Sequence, residues 1–128
     1  MRQLTDAAIV DGWIVSNTTV TRPDSLRSRY SGERGGLSGS PLRQRSTELI
    51  RLVYKASSGA PIIGAGGVDS AETAFEKIKA GAALVQIYSA LVFAGPGLLT
   101  QIDRDLKHQL TRHGFSRLAD AVGADHRH

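Results

Sequence analysis

Three times along this chain a short apolar run gives way to a polar or glycine-rich loop, and then to a stretch with apolar residues at helical spacing. The clearest instance is Pro61-Ile62-Ile63, which stops at Gly64-Ala65-Gly66-Gly67 and leads to Ala71, Ala74, Phe75 and Ile78 at i, i+3, i+4 and i+7. Asp69, with Glu72 three residues on, is the expected N-cap of that helix. Strand and helix alternating in this way is the pattern of a parallel-sheet α/β fold. With 128 residues, 41% of them hydrophobic, the chain can bury one core, so residues 1–128 are expected to form a single unit.

The other segments fit the same scheme. Leu4 to Val10 has helical spacing and is closed by Asp11-Gly12; Trp13-Ile14-Val15 then reads as a brief strand. From Thr21 to Gly39 the chain is polar, arginine-rich and glycine-rich, which predicts a long loop. Ser40 as N-cap before Pro41, with Leu42, Leu49, Ile50 and Val53 along one face, predicts a helix from about Pro41 to Ala56. Ala83 to Tyr88 is apolar enough to be a strand buried on both faces. After Gly95-Pro96-Gly97 comes an amphipathic helix carrying Leu98, Leu99, Ile102, Leu106 and Leu110, with a cationic last turn and Gly114 behind it.

Composition excludes several classes. There is no cysteine, hence no disulfide framework or thiolate chemistry. No apolar run reaches membrane-spanning length, and Arg2, Gln3, Thr5 and Asp6 do not make a signal segment, so an intracellular globular protein is expected. The net charge of +4 sits in one stretch: Arg22, Arg27, Arg29, Arg34, Arg43, Arg45 and Arg51 face only Asp24, Glu33 and Glu48. Only Tyr30 is interleaved with these arginines, so the expectation is a solvated basic loop and helix face, not a nucleic-acid surface. His108 and His113 belong to a helix and its end, while His126 and His128 read as a polar tail; no metal site is expected.

Glycines at the carboxyl end of a strand let backbone N–H groups approach an anion, and the next helix adds its dipole. Gly64-Ala65-Gly66-Gly67 therefore reads either as a phosphate cradle or as a tight βα turn packed closely on a helix; it is not the dinucleotide fingerprint, because Asp69 stands where a third glycine is needed. Tyr88-Ser89 ends the next strand, either as a second phosphate-gripping tip or with Tyr88 as a core aromatic. Ser16-Asn17-Thr18-Thr19 could hold a planar polar ligand or form an ordinary Asx or Ser/Thr turn. Gly35-Gly36-Leu37-Ser38-Gly39 is a further permissive loop.

These motifs, taken in order, resemble the C-terminal part of class 2, quinone-dependent dihydroorotate dehydrogenases. The resemblance runs from about Asp11 to Arg127 through Gly12-Trp13-Ile14-Val15-Ser16-Asn17-Thr18-Thr19, Arg22-Pro23, Gly35-Gly36-Leu37-Ser38-Gly39-Ser40-Pro41-Leu42-Arg43 and Pro61-Ile62-Ile63-Gly64-Ala65-Gly66-Gly67-Val68. It continues in Gly81-Ala82-Ala83-Leu84-Val85-Gln86-Ile87-Tyr88-Ser89-Ala90-Leu91 and Gly123-Ala124-Asp125-His126-Arg127. The resemblance implies part of a (β/α)8 barrel, about three consecutive βα units with parallel strands, carrying FMN at the strands' carboxyl ends. By position, Ser16, Gly39, Gly66, Gly67, Tyr88 and Ser89 would contact FMN, and Asn17 and Thr18 would bind the pyrimidine of dihydroorotate or orotate.

The implied activity is oxidation of dihydroorotate to orotate with a quinone acceptor, in pyrimidine biosynthesis. A non-catalytic flavin- or phosphate-binding α/β module and another FMN-dependent barrel oxidoreductase are the alternatives. The family's catalytic serine base, its lysine near the flavin and its amphipathic N-terminal helices have no match in the chain, so no catalytic residue is assigned. The expectations are an isolated chain without dehydrogenase activity, open barrel edges prone to self-association, and, by resemblance alone, a peripheral place on the cytoplasmic side of the cell membrane.

Overall fold

The computed structural model describes residues 9–127. Most of the helix expected over Leu4–Val10, and His128, lie outside the described residues. Three strands, β1 (Trp13–Val15), β2 (Ile62–Ala65) and β3 (Leu84–Gln86), form one sheet in the order β1-β2-β3. Both pairings are parallel, with Ile14 opposite Ile63 and Ile63 opposite Leu84. Between and after them run α1 (Arg43–Ala56), α2 (Ala71–Ala80), α3 (Ser89–Ala94), α4 (Gly97–Arg112) and α5 (Leu118–Ala121), with short 3-10 turns at Ser40–Leu42 and Ala124–His126.

Side chains alternate across a strand, and here the two faces have opposite fates. Val15 and Ile62 on one face join Ile50 and Val53 of α1 in a buried cluster. Val85 on that same face reaches two further clusters, one built on Val68, Ala74, Leu98 and Ile102 and the other on Phe75, Ile78 and Ala121. The opposite face carries Ile14 and Leu84, which are 65% and 63% exposed. The expectation that the third strand is buried on both faces is thus corrected. Its outer face is covered by helices, but nothing among the described residues covers the row through Ile14, Ile63 and Leu84.

Helix starts also differ from the sequence reading. The segment from Ser40 opens as a 3-10 turn with Gly39 in the capping position at φ +84°, and the α-helix begins at Arg43. Ser70, not Asp69, caps α2: its hydroxyl accepts from the Thr73 N–H while Thr73 Oγ1 accepts from the Ser70 N–H, a reciprocal capping box. Both Ser and Asp cap well; Thr73 decides between them by bonding back.

The long loop is closed at its base by paired backbone bonds between Thr19 and Leu37, at 3.0 and 2.7 Å. Arg22 holds it from inside, its guanidinium donating to the carbonyls of Val20, Ser31, Glu33 and Gly35. Arg43 pairs with Glu76 and Arg51 with Asp125. The arginine segment is therefore only partly a solvated basic face. His126 is no tail residue either: its ring stacks on Tyr54 with centroids 4.8 Å apart, and Nε2 lies 3.0 Å from the Ala80 carbonyl.

Candidate functional site

A parallel sheet delivers the loops after each strand to the same end, and the three strand tips converge here. The Ser16 N–H donates to the Ala65 carbonyl at 3.1 Å, joining the first tip to the second. Ser89 Oγ donates to Ser38 Oγ at 3.0 Å, and Gly39, at φ +84°, lies beside Ser89 at a distance where a Cβ would make ordinary van der Waals contact with the serine. The long loop is thereby attached to the third tip. Among these tips opens a cavity of about 980 Å³ lined by Ser16, Asn17, Thr18, Gly39, Gly66, Gly67, Tyr88 and Ser89, all eight positions singled out from the sequence.

Each position is held for a local reason. Ser16 Oγ donates to the Asn17 carbonyl and Asn17 Oδ1 accepts from the Thr18 N–H at 2.7 Å, contacts between chain neighbours, while Thr19 Oγ1 accepts from the Thr21 N–H at 3.1 Å with the two-residue reach of a Ser/Thr turn. Thr18 in turn packs on Gly36, where a Cβ would overlap the Thr18 side chain. Tyr88 is 77% exposed among the described residues and stands on the cavity wall. Gly67 has φ +71°, and a Cβ there would lie 2.6 Å from the backbone N and Cα of Arg43. Close helix packing is thus one reason for that glycine.

A second reason is visible in the hydrogen bonds. Gly67 and Val68 are buried, yet among the described residues neither N–H has an acceptor, whereas the N–H groups of Asp69 and Ser70 both reach Thr73 Oγ1 at 3.0 Å. Backbone N–H groups in native proteins normally find a partner in the protein, in water or in a ligand. Two in succession at a cavity wall, beside the start of α2, suit an anion with several acceptor oxygens. The nearby Arg43 guanidinium is already engaged: its hydrogen bond to Glu76 raises its pKa and lowers that of the Glu76 carboxyl.

Sequence reasoning missed Lys77. It is fully buried beneath the glycine loop, and burial lowers its pKa to about 8. Its position, one residue before Ile78 on the edge of the apolar stripe of α2, was the available signal.

The profile of the dihydroorotate dehydrogenase family matches residues 1–110. The chain belongs to that family. A dihydroorotate dehydrogenase (quinone) from Azorhizobium caulinodans is 56% identical over 117 residues, covering 91% of this chain and 33% of its own length. The mitochondrial dihydroorotate dehydrogenase (quinone) of Mus musculus is 50% identical over 119 residues, 92% of this chain and 30% of its own. Among solved structures, the ligand-free DHODH of Eimeria tenella superposes with a TM-score of 0.90 at 39% identity, over 99% of this chain and 36% of that one. The dihydroorotate dehydrogenase (quinone) relatives are thus about three times as long as the stretch they share with this chain. The three parallel strands and their helices are part of a TIM barrel.

Proposed function

We propose that this chain forms the FMN-phosphate grip and one side of the substrate pocket of a quinone-dependent dihydroorotate dehydrogenase. The carrying observation is the pair of backbone N–H groups at Gly67 and Val68 that have no acceptor among the described residues, set in the wall of a cavity that also collects Ser16, Gly39, Tyr88 and Ser89. The donor set suits a phosphate monoester: two backbone N–H groups from the glycine loop, and a serine hydroxyl on the facing tip. In this reading Gly66 gives the loop its shape, Gly39 lets the long loop close on Ser89, and Ser16 touches the ring system. Asn17 and Thr18 supply side-chain donors and acceptors for the pyrimidine of dihydroorotate or orotate.

When bound, FMN would supply the redox chemistry that links dihydroorotate oxidation to a quinone acceptor. What this chain's residues contribute is orientation: phosphate fixed at Gly67 and Ser89, pyrimidine fixed at Asn17 and Thr18. Such registration is worth a large share of an enzymatic barrier. No described residue takes the place of the family's serine base, so the 128-residue chain is expected to bind flavin without turning over dihydroorotate. Localisation follows the same reading, a peripheral position at the cytoplasmic face of the membrane; no helix among the described residues is long and apolar enough to cross it.

Fluorescence titration of the chain with FMN and with riboflavin tests the reading. Two N–H groups and a hydroxyl on a dianion imply FMN binding at least about tenfold tighter than riboflavin. Equal affinities would refute it.

A further inference from the structure

Lys77 projects from α2 into the space between α2 and α1 and is completely shielded from solvent. Its Nζ lies 2.5 Å from Ser46 Oγ, 3.1 Å from Thr47 Oγ1 and 3.5 Å from the Arg43 carbonyl. Among the described residues no carboxylate forms an ion pair with it. Burying an amine among hydroxyls is costly, and a methionine would fill the same space.

Ser46 shows where that arrangement leads. Its Oγ accepts from Lys77 and stands 2.9 Å from the Gly66 carbonyl. The alternative acceptor, the Arg43 carbonyl at 3.2 Å, already receives Thr47 Oγ1 at 2.8 Å. With the lysine donating to the serine oxygen, the hydroxyl hydrogen is left for Gly66. In a trans peptide C=O and N–H point in opposite directions, so anchoring the Gly66 carbonyl toward α1 turns the Gly67 N–H away from it. Glycine stands on both sides of this peptide, at φ +99° and +71°, and no Cβ restricts rotation of its plane. A hydrogen bond has to do what side-chain sterics do elsewhere.

We infer that Lys77 and Ser46 form a buried relay that sets the plane of the Gly66–Gly67 peptide and so aims the Gly67 N–H at the phosphate. Both are positioning residues, acting on the ligand only through that peptide. The inference rests on the phosphate reading proposed above. It also accounts for the separation of duties around the loop: Arg43 is held by Glu76, while the neutral backbone makes the grip.

The test compares FMN with riboflavin on the 128-residue chain and on Ser46→Ala and Lys77→Met. Both variants are expected to lose FMN affinity by about tenfold or more while binding riboflavin within about twofold of the parent. In ¹H–¹⁵N spectra, inorganic phosphate is expected to shift the Gly67 amide of the parent but not of S46A. Ser46→Ala keeps the lysine charge, so a loss in K77M alone means simple charge attraction and overturns the relay. Equal losses for both flavins in S46A mean a merely structural role and overturn it as well. If the parent itself does not discriminate between FMN and riboflavin, the phosphate reading fails first and the relay with it.

Discussion

Replacing Gly67 by alanine probes the glycine loop most directly. At φ +71° an alanine sits in the left-handed region, which costs about 1–2 kcal/mol for a residue with a Cβ. The added methyl would also lie 2.6 Å from the N and Cα atoms of Arg43, backbone atoms at the start of a helix that cannot swing aside. Relieving such an overlap in a packed interior costs about 1–3 kcal/mol more. The expected destabilisation is therefore about 2–5 kcal/mol, a large part of what a domain this size possesses. Gly97→Ala serves as the internal control, because it begins α4 with open space around it and no positive φ, and should leave stability unchanged or raise it by up to about 1 kcal/mol. Urea unfolding with a common slope reports both. If Gly67→Ala unfolds at a midpoint within about 0.5 kcal/mol of Gly97→Ala, the packing argument is wrong.

Three further outcomes follow from other parts of the molecule. Burial lowers the Lys77 pKa to about 8, so between pH 8 and the ordinary 10.5 the unfolded chain holds a proton that the folded chain has lost. Stability should accordingly rise with pH across that window, by up to about 3 kcal/mol from the 1.36 kcal/mol per unit, and urea midpoints of Lys77→Met should lack this component of the slope. Leu84→Lys places a charge on the bare face of the sheet, and sedimentation of the 128-residue chain should show less self-association than the parent; unchanged association would place the contact elsewhere. His126→Ala removes the stack on Tyr54 and the bond to the Ala80 carbonyl, an expected loss of about 1–2 kcal/mol by thermal unfolding.

The parallel α/β scheme was legible because its punctuation is local: the glycines after Ile63 mark the end of a strand, although β2 runs through Gly64 and Ala65 and turns only at Gly66-Gly67, and Ala71, Ala74, Phe75 and Ile78 repeat with a helical period. The site positions were legible for a different reason, the order of the family's motifs along the chain. What escaped depends on contacts distant in sequence. Ser89–Ala94 was not anticipated as a helix, since Leu91, Val92 and Phe93 prolong an apolar run that has no periodicity of its own. His126 looked solvated because Tyr54, its stacking partner, is far away along the chain. Lys77 carries the residue type least expected in a core, and only the hydroxyls of Ser46 and Thr47 on another helix explain its burial.

All three buried clusters lie on the helix-bearing side of the sheet, and Ile14 and Leu84 take no part in them. The contacts that hold the three strands to their helices are therefore made on the face away from the barrel lumen. Substitutions at Ile14 and Leu84 are therefore expected to leave the contacts between the strands and their helices intact, so the inner wall and the ligand-presenting shell can vary separately.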